Sequence, residues 1–207
     1  MIAFRHADPS VPFLWEDASQ PAARWHAEGD GPAHYLAETP DSAWAEFLRH
    51  EEIRDQADLA GIERTIWAVE IPDDERLARP RLARETMVGE RDTYAACQAE
   101  AARLRAAGNR GLRAPSAALR SGAPSGWRVS GGLVPGRPRS EHSLVLFGRR
   151  SDLVGWVVAD AGRPRADLLA SVRYFGVTEE AGADPTATRR ASDRRPTSRA
   201  TDRPARR

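Results

Sequence analysis

The sequence predicts one α+β domain over residues 1–177 and a disordered tail over residues 178–207, on three observations. Strand-like and helix-like stretches are interspersed without strict strand–helix–strand alternation. The chain has 207 residues, 41% of them hydrophobic, which is enough for one packed core and too few for two comfortable ones. After about Thr178 the aromatic and aliphatic runs stop, and Ala, Asp, Thr, Arg and Pro dominate.

Residues 33–37 (AHYLA) read as a short strand. Thr39-Pro40-Asp41 then marks a helix start. Thr39 suits the N-cap, Pro40 costs nothing in the first turn, and Asp41 meets the positive end of the dipole. Ala43, Trp44, Phe47 and Leu48 follow at spacings of three and four, one face of that helix. Residues 65–71 read as a strand that Pro72-Asp73-Asp74 ends. The Ala-rich run 92–107 reads as a helix stopped by Gly108-Asn109. Residues 112–114 read as a short strand, and residues 143–147 and 154–158 as two more. Residues 121–140, rich in Gly, Pro, Ser and Arg, read as a long loop. The tail carries eight Arg against five acids and too little apolar surface to offset its ordering entropy. It reads as a solvated segment rather than an electrostatic tether.

Several function classes fall away on composition. There are 31 basic and 30 acidic residues, a balance that disfavours a dedicated nucleic-acid binder. Every basic residue other than His is Arg, which reads as codon bias rather than as a binding surface. No stretch nears the roughly 20 apolar residues of a membrane span, and the first residues carry no apolar signal core. A cytoplasmic protein is expected. Cys97 is the single cysteine and reads as a buried, inert thiol on a helix. His34, His50 and His142 are too scattered in sequence for a metal triad, so no metal is expected. Neither a phosphate-binding Gly-rich loop nor a G-x-S-x-G elbow is present. The six Trp read as core and pocket lining.

One ordered constellation remains. Arg24-Trp25-His26 is followed by a Gly turn at Gly29-Asp30-Gly31, then Tyr35-Leu36-Ala37, then Thr39-Pro40. A helix holding Ala43, Glu46 and His50 comes next, and Pro115-Ser116-Ala117 comes much later. This order resembles the RES family, named for its Arg, Glu and Ser, and the similarity spans about residues 3–175. His26 stands where the family usually has Asn, and Ala23 where it has Gly. Residues 120–140 diverge from the family. The resemblance implies a fold like that of ADP-ribosyltransferases and an enzyme that consumes NAD⁺, as toxins of bacterial toxin–antitoxin pairs do. NAD⁺ enters as substrate, with no prosthetic group. The implied protein partner is an antitoxin with a helix-turn-helix domain; no direct nucleic-acid or membrane contact is implied, and self-association is left open.

The residue types suit that chemistry. Cleaving the nicotinamide–ribose bond develops positive charge on the ribose C1″, which a fixed carboxylate stabilises as it forms. Glu46 is the candidate for that role. Arg24 is a catalytic and substrate-binding candidate whose planar fork suits a pyrophosphate. Tyr35 is a candidate to stack on nicotinamide, Ser116 to hold its carboxamide or the neighbouring ribose, and Arg5, at a matching family position, to meet the phosphates. Each has a plainer rival: a solvated helix face for Glu46, a surface ion pair for Arg24, core packing for Tyr35, a turn cap for Ser116, a structural salt bridge for Arg5. Ala43, Phe47 and His50 share the side of Glu46 and so turn its carboxylate partly inward. Three activities follow: an NAD⁺ glycohydrolase or phosphorylase, a protein ADP-ribosyltransferase, or a catalytically weak module that kept the fold.

Overall fold

The computed structural model describes residues 1–177 except Trp15, Ala18, Pro124 and Ser125; the tail expected at 178–207 lies outside the described residues. The strands are β1 Ile2–Ala7, β2 Ala33–Ala37, β3 Arg64–Glu70, β4 Gly111–Pro115, β5 Trp127–Val129, β6 Leu133–Pro135, β7 His142–Phe147 and β8 Val154–Gly162. The α-helices are α1 Pro40–His50, α2 Arg84–Val88 and α3 Tyr94–Ala106. Six strands form one antiparallel sheet in the order β4–β7–β2–β1–β3–β8, and β5 and β6 form a separate hairpin.

Side-chain alternation gives the sheet two differently covered faces. Phe4 and Ile66 meet Trp44, Phe47 and Leu48 of α1. On the same face Ala33, Leu112, Ala114 and Val145 meet Cys97, Ala101 and Leu104 of α3. The opposite face carries Ala3, Leu36, Val69, Leu144 and Leu146 under Phe13 and Leu14. Both long helices therefore lie side by side on one face, and a cleft can form between them.

The helix signals work locally, as read. Thr39 Oγ1 accepts the Ser42 N–H at 3.2 Å, with Pro40 and Asp41 in the first turn of α1. Ala43, Trp44, Phe47 and Leu48 are all buried, and fully burying each large apolar chain contributes about 1.5–3 kcal/mol. Helix α3 ends where Gly108 takes φ +79°; its N–H donates to Arg105 O and that of Asn109 to Leu104 O. Cys97 is buried, and burial pushes its thiol pKa up.

Three expectations change. Strand β1 was not foreseen, because Arg5 and His6 interrupt its apolar pattern. Part of the loop expected at 121–140 is the hairpin β5–β6, turned by Gly131 and Gly132 at positive φ. Trp25 and Trp44 are buried as expected, whereas Trp127 and Trp156 are 53% and 61% exposed.

One topological detail positions the site. Strand β1 pairs with β3 along its whole length, from Ile2↔Glu70 to Ala7↔Thr65, but with β2 at Phe4↔Ala37 alone. The sheet opens between β1 and β2 beyond Phe4.

Two imidazoles near that opening, His34 buried and His6 half-buried, set a pH dependence. Burial, with Arg64, Arg5 and His50 adding, pushes His6 down to about 3; burial, with Arg5 and Arg150 adding, pushes His34 down to about 4. Both rings stay neutral in the fold, while in the unfolded chain they titrate near 6.5. As pH falls below about 6.5 the unfolded chain binds protons that the fold refuses, so stability is lost on acidification. The expected fall is about 1 kcal/mol per pH unit for each ring between pH 6 and 4.5. Thermal unfolding followed at pH 7.5, 6 and 5 checks it, and a midpoint independent of pH in that window contradicts it.

Candidate active site

Glu46 is half-buried on the face of α1 that looks along the sheet toward α3. Two strand or turn hydroxyls hold its carboxylate: Ser143 Oγ of β7 donates to Oε1 at 3.0 Å, and Ser116 Oγ stands 3.5 Å from the same oxygen. Among the described residues, both contacts go to Oε1. Ser116 is buried and also caps its own turn, accepting N–H groups of Ala118 at 3.3 Å and Leu119 at 3.1 Å. Ser116 thus caps its own turn, as its plain reading expected, while its hydroxyl stands toward Glu46.

Two hollows meet at this carboxylate. One, about 490 Å³ including its open mouth, lies between α1 and the start of α3 and is bordered by Arg24, Tyr35, Glu46, Arg49, Tyr94 and Ser143. The other, about 610 Å³ with its mouth, lies where the sheet opens and is bordered by Arg5, His6, Tyr35, Ala43, Glu46 and His50. Glu46, Tyr35, His50 and Ser143 border both. Arg24, Tyr35, Glu46 and Arg5 border the hollows and Ser116 lies behind Glu46, while strand alternation puts the Arg5 side chain on the face of Ala3 and Trp67, away from α1.

Tyr35 lies on the floor, with its hydroxyl fixed by the neighbouring loop. It accepts the Trp25 N–H at 2.9 Å and meets His26 Nδ1 at 3.0 Å, while His26 Nε2 reaches Pro21 O at 2.8 Å. One tautomer satisfies the set: Nε2–H donates to Pro21, and Nδ1 accepts from the phenol. Burial lowers the His26 pKa and raises that of Tyr35, which keeps both neutral. His26 thus locks the Tyr35 ring in place.

The two arginines of the first hollow are clamps. Arg24 Nη2 donates to Gly89 O at 2.7 Å and Nη1 to Thr93 Oγ1 at 3.1 Å, with the guanidinium 4.5 Å over the Tyr94 ring. Arg49, nearly fully buried, donates to Gly89 O, Ala117 O and Arg173 O and covers Phe175. Arg24 was expected to present its fork to a pyrophosphate, and it instead ties the turn after α2 to the wall. Neither surface ion pairing nor a free fork describes it. A Cβ on Gly89 would stand 2.7 Å from both Glu85 O and Thr93 Cγ2. Gly89→Ala is therefore expected to displace the carbonyl that both arginines share and to destabilise the fold by about 1–3 kcal/mol; an unchanged denaturation midpoint contradicts this.

Arg5 carries the unresolved charge of the site. Its Nη1 is buried and has no hydrogen-bond partner among the described residues, and burial alone pushes its pKa down to about 10. The structural salt bridge that was its plain alternative is not among the described ion pairs. Arg5 as a whole is half-buried, and leaving one nitrogen shielded from water without a partner carries a desolvation cost.

Sequence reasoning missed Ser143, Arg49 and Tyr94. The alternation Ser143, Val145, Phe147 on the helix-facing side of β7 was a readable signal, since a lone hydroxyl on a buried face needs a partner. Arg49, three residues after Glu46, was another. The partners of Arg49, 40 to 124 residues away, left no local trace. His34 bonds Gly148 O and His142 pairs with Glu38, and no metal-binding group of three His, Cys, Asp or Glu occurs among the described residues.

Three comparisons bear on this geometry. The model of the RES domain matches residues 2–163. The chain is similar to a chain in the crystal structure of the M. tuberculosis MbcT–MbcA toxin–antitoxin complex, with TM-score 0.51 and 15% identity over 82% of this chain and 86% of that one. At that identity the likeness speaks for the fold. No protein of curated function matches in sequence.

Proposed function

Because the chain belongs to the RES-domain family, its domain spanning residues 2–163, we propose that it cleaves NAD⁺ at the nicotinamide–ribose bond, with water or phosphate as acceptor, as the toxin of a toxin–antitoxin pair. The observation that carries this reading is the Glu46 carboxylate, fixed by Ser143 and Ser116 where two hollows meet.

Loss of nicotinamide leaves an oxocarbenium-like ribose, electron-poor at C1″ and O4″. Glu46, held before the substrate arrives, stabilises that charge without reorganising as it forms. Its Oε2, outside the two serine contacts, is available to a ribose hydroxyl. The Tyr35 ring, neutral and locked by His26, offers a flat surface to the leaving nicotinamide. Arg24 and Arg49 hold the wall in place through their bonds to Gly89 O, Thr93 Oγ1, Ala117 O and Arg173 O rather than by binding substrate. Arg5 receives the pyrophosphate, which supplies the anion its buried nitrogen lacks.

The partner proposed is a protein antitoxin, with the helix-turn-helix type taken from the family resemblance. No helix among the described residues is long and apolar enough to cross a membrane, and the proposed setting is the cytoplasm, where NAD⁺ is present. The test is to incubate the full-length chain with NAD⁺ labelled in its adenylate, with and without phosphate. Free nicotinamide with labelled ADP-ribose or its 1″-phosphate is the expected result. Label on protein instead favours a transferase, and no nicotinamide release under any condition defeats the proposal. Expression alone is expected to deplete cellular NAD⁺ and stop growth; normal growth with abundant intact protein contradicts the toxin role.

A further inference from the structure

The hairpin β5–β6 belongs to none of the three hydrophobic clusters of the core. Its strands pair Trp127↔Pro135, Arg128↔Val134 and Val129↔Leu133. Side-chain alternation therefore gathers Trp127, Val129, Leu133 and Pro135 on one face of the ribbon, with Arg128 and Val134 on the other. The first face is exposed along its whole length, Val129 and Leu133 at 80% and 73%. At its base the Arg165 guanidinium lies 5.4 Å from the Trp127 ring and pairs with Asp41 at the start of α1. A two-stranded ribbon this short is marginal in water by itself, and an exposed apolar face on it gains by being covered. The surroundings of that face are basic. Residues 120–140 contain four arginines and no acid. Arg139 is committed to Glu141 at 2.6 Å, while Arg120, Arg128 and Arg137 are exposed and lie outside the ion pairs among the described residues.

We infer that this hairpin is a docking surface for an acidic protein segment, which lays apolar side chains along the Trp127–Pro135 face while its carboxylates meet the surrounding arginines. The inference goes beyond the reading of Glu46 and stands whether or not NAD⁺ is the substrate. Charge and shape decide among the occupants. The chain's own residues 178–207 carry eight Arg against five acids, and a second copy brings the same basic hairpin, so like charge opposes both. A membrane takes the tip of a loop, and the tip here is Ser130-Gly131-Gly132, with no apolar side chain to insert. A nucleic acid would pair its phosphates with the arginines but leave Val129, Leu133 and Pro135 uncovered, with Trp127 the hairpin's one aromatic for base stacking. A segment with both acidic and apolar residues satisfies both features of the ribbon.

The probe is a fluorescent peptide of alternating Glu and Leu, whose binding to the full chain is followed by anisotropy beside peptides of alternating Glu and Ser and of alternating Lys and Leu. The expected result is that the Glu–Leu peptide binds at least tenfold tighter than either control and that added salt weakens it. Two double variants at exposed positions, Val129→Ser/Leu133→Ser and Arg128→Glu/Arg137→Glu, are each expected to lower its affinity at least tenfold with an unchanged melting temperature. No binding of the Glu–Leu peptide, equal binding of the three peptides, or unaltered affinity in either double variant overturns the inference. So does tighter binding of oligouridylate, or of phosphatidylserine vesicles, that the same variants abolish. Nicotinamide release is read separately: its absence leaves this surface standing, and a failure here leaves the cleavage reading untouched.

Discussion

Glu46→Gln is expected to lower NAD⁺ cleavage by a hundredfold or more, about 2.7 kcal/mol in barrier terms, with little change in stability. The amide keeps the shape of the side chain and can still accept from Ser143 Oγ, now 3.0 Å from the carboxylate. It loses the negative charge that meets the developing cation on the ribose. Because the interaction strengthens only in the transition state, kcat falls while KM changes little. Steady-state release of nicotinamide, paired with a thermal melt, separates the two effects. A variant that keeps its rate removes Glu46 from the chemistry; a variant that unfolds early assigns the carboxylate to structure.

Arg5→Met is expected to move stability and function in opposite directions. In the fold the guanidinium is an uncompensated cation with a buried, unpaired Nη1. Replacing it with an apolar chain of similar reach removes that cost and is expected to stabilise the protein by about 1–3 kcal/mol. The same change removes a charge-assisted bond to the pyrophosphate, worth about 1.5–3 kcal/mol, so KM for NAD⁺ is expected to rise roughly 10- to 100-fold. A structural role gives the reverse: a lower melting temperature with unchanged KM. The pairing matters because few substitutions at a binding site raise stability, and those that do mark residues kept at a cost to the fold.

How much could be read in advance depended on how local each cause was. The start of α1 follows from three consecutive residues, Thr39, Pro40 and Asp41, and the end of α3 from Gly108 and Asn109; both were legible because capping is decided within one turn. Strand β1 was hidden because Arg5 and His6 interrupt its apolar run. The hairpin β5–β6 was hidden for another reason: each strand is three residues long, too short for a period to show.

At the site, residue identity was legible and partnership was not. Arg24, Tyr35, Glu46 and Ser116 lie around one cleft, yet what each touches is fixed by distant segments. Arg24 looked like a ligand for phosphate and proves to be bound to Gly89 O and Thr93, since the turn carrying those acceptors is set by tertiary packing. Ser116 looked like either a cap or a substrate contact and serves as cap and as support for Glu46. The unpaired state of Arg5 is a property of the whole fold, and no short stretch of sequence encodes it.

The most direct measurement is a crystal structure of the Glu46→Gln variant soaked with NAD⁺. The expected result is intact dinucleotide with the nicotinamide-bearing ribose carbon beside residue 46, the nicotinamide over Tyr35, and a phosphate oxygen within hydrogen-bond distance of Arg5 Nη1. Dinucleotide bound elsewhere on the protein, or in the cleft with its pyrophosphate remote from Arg5, contradicts it.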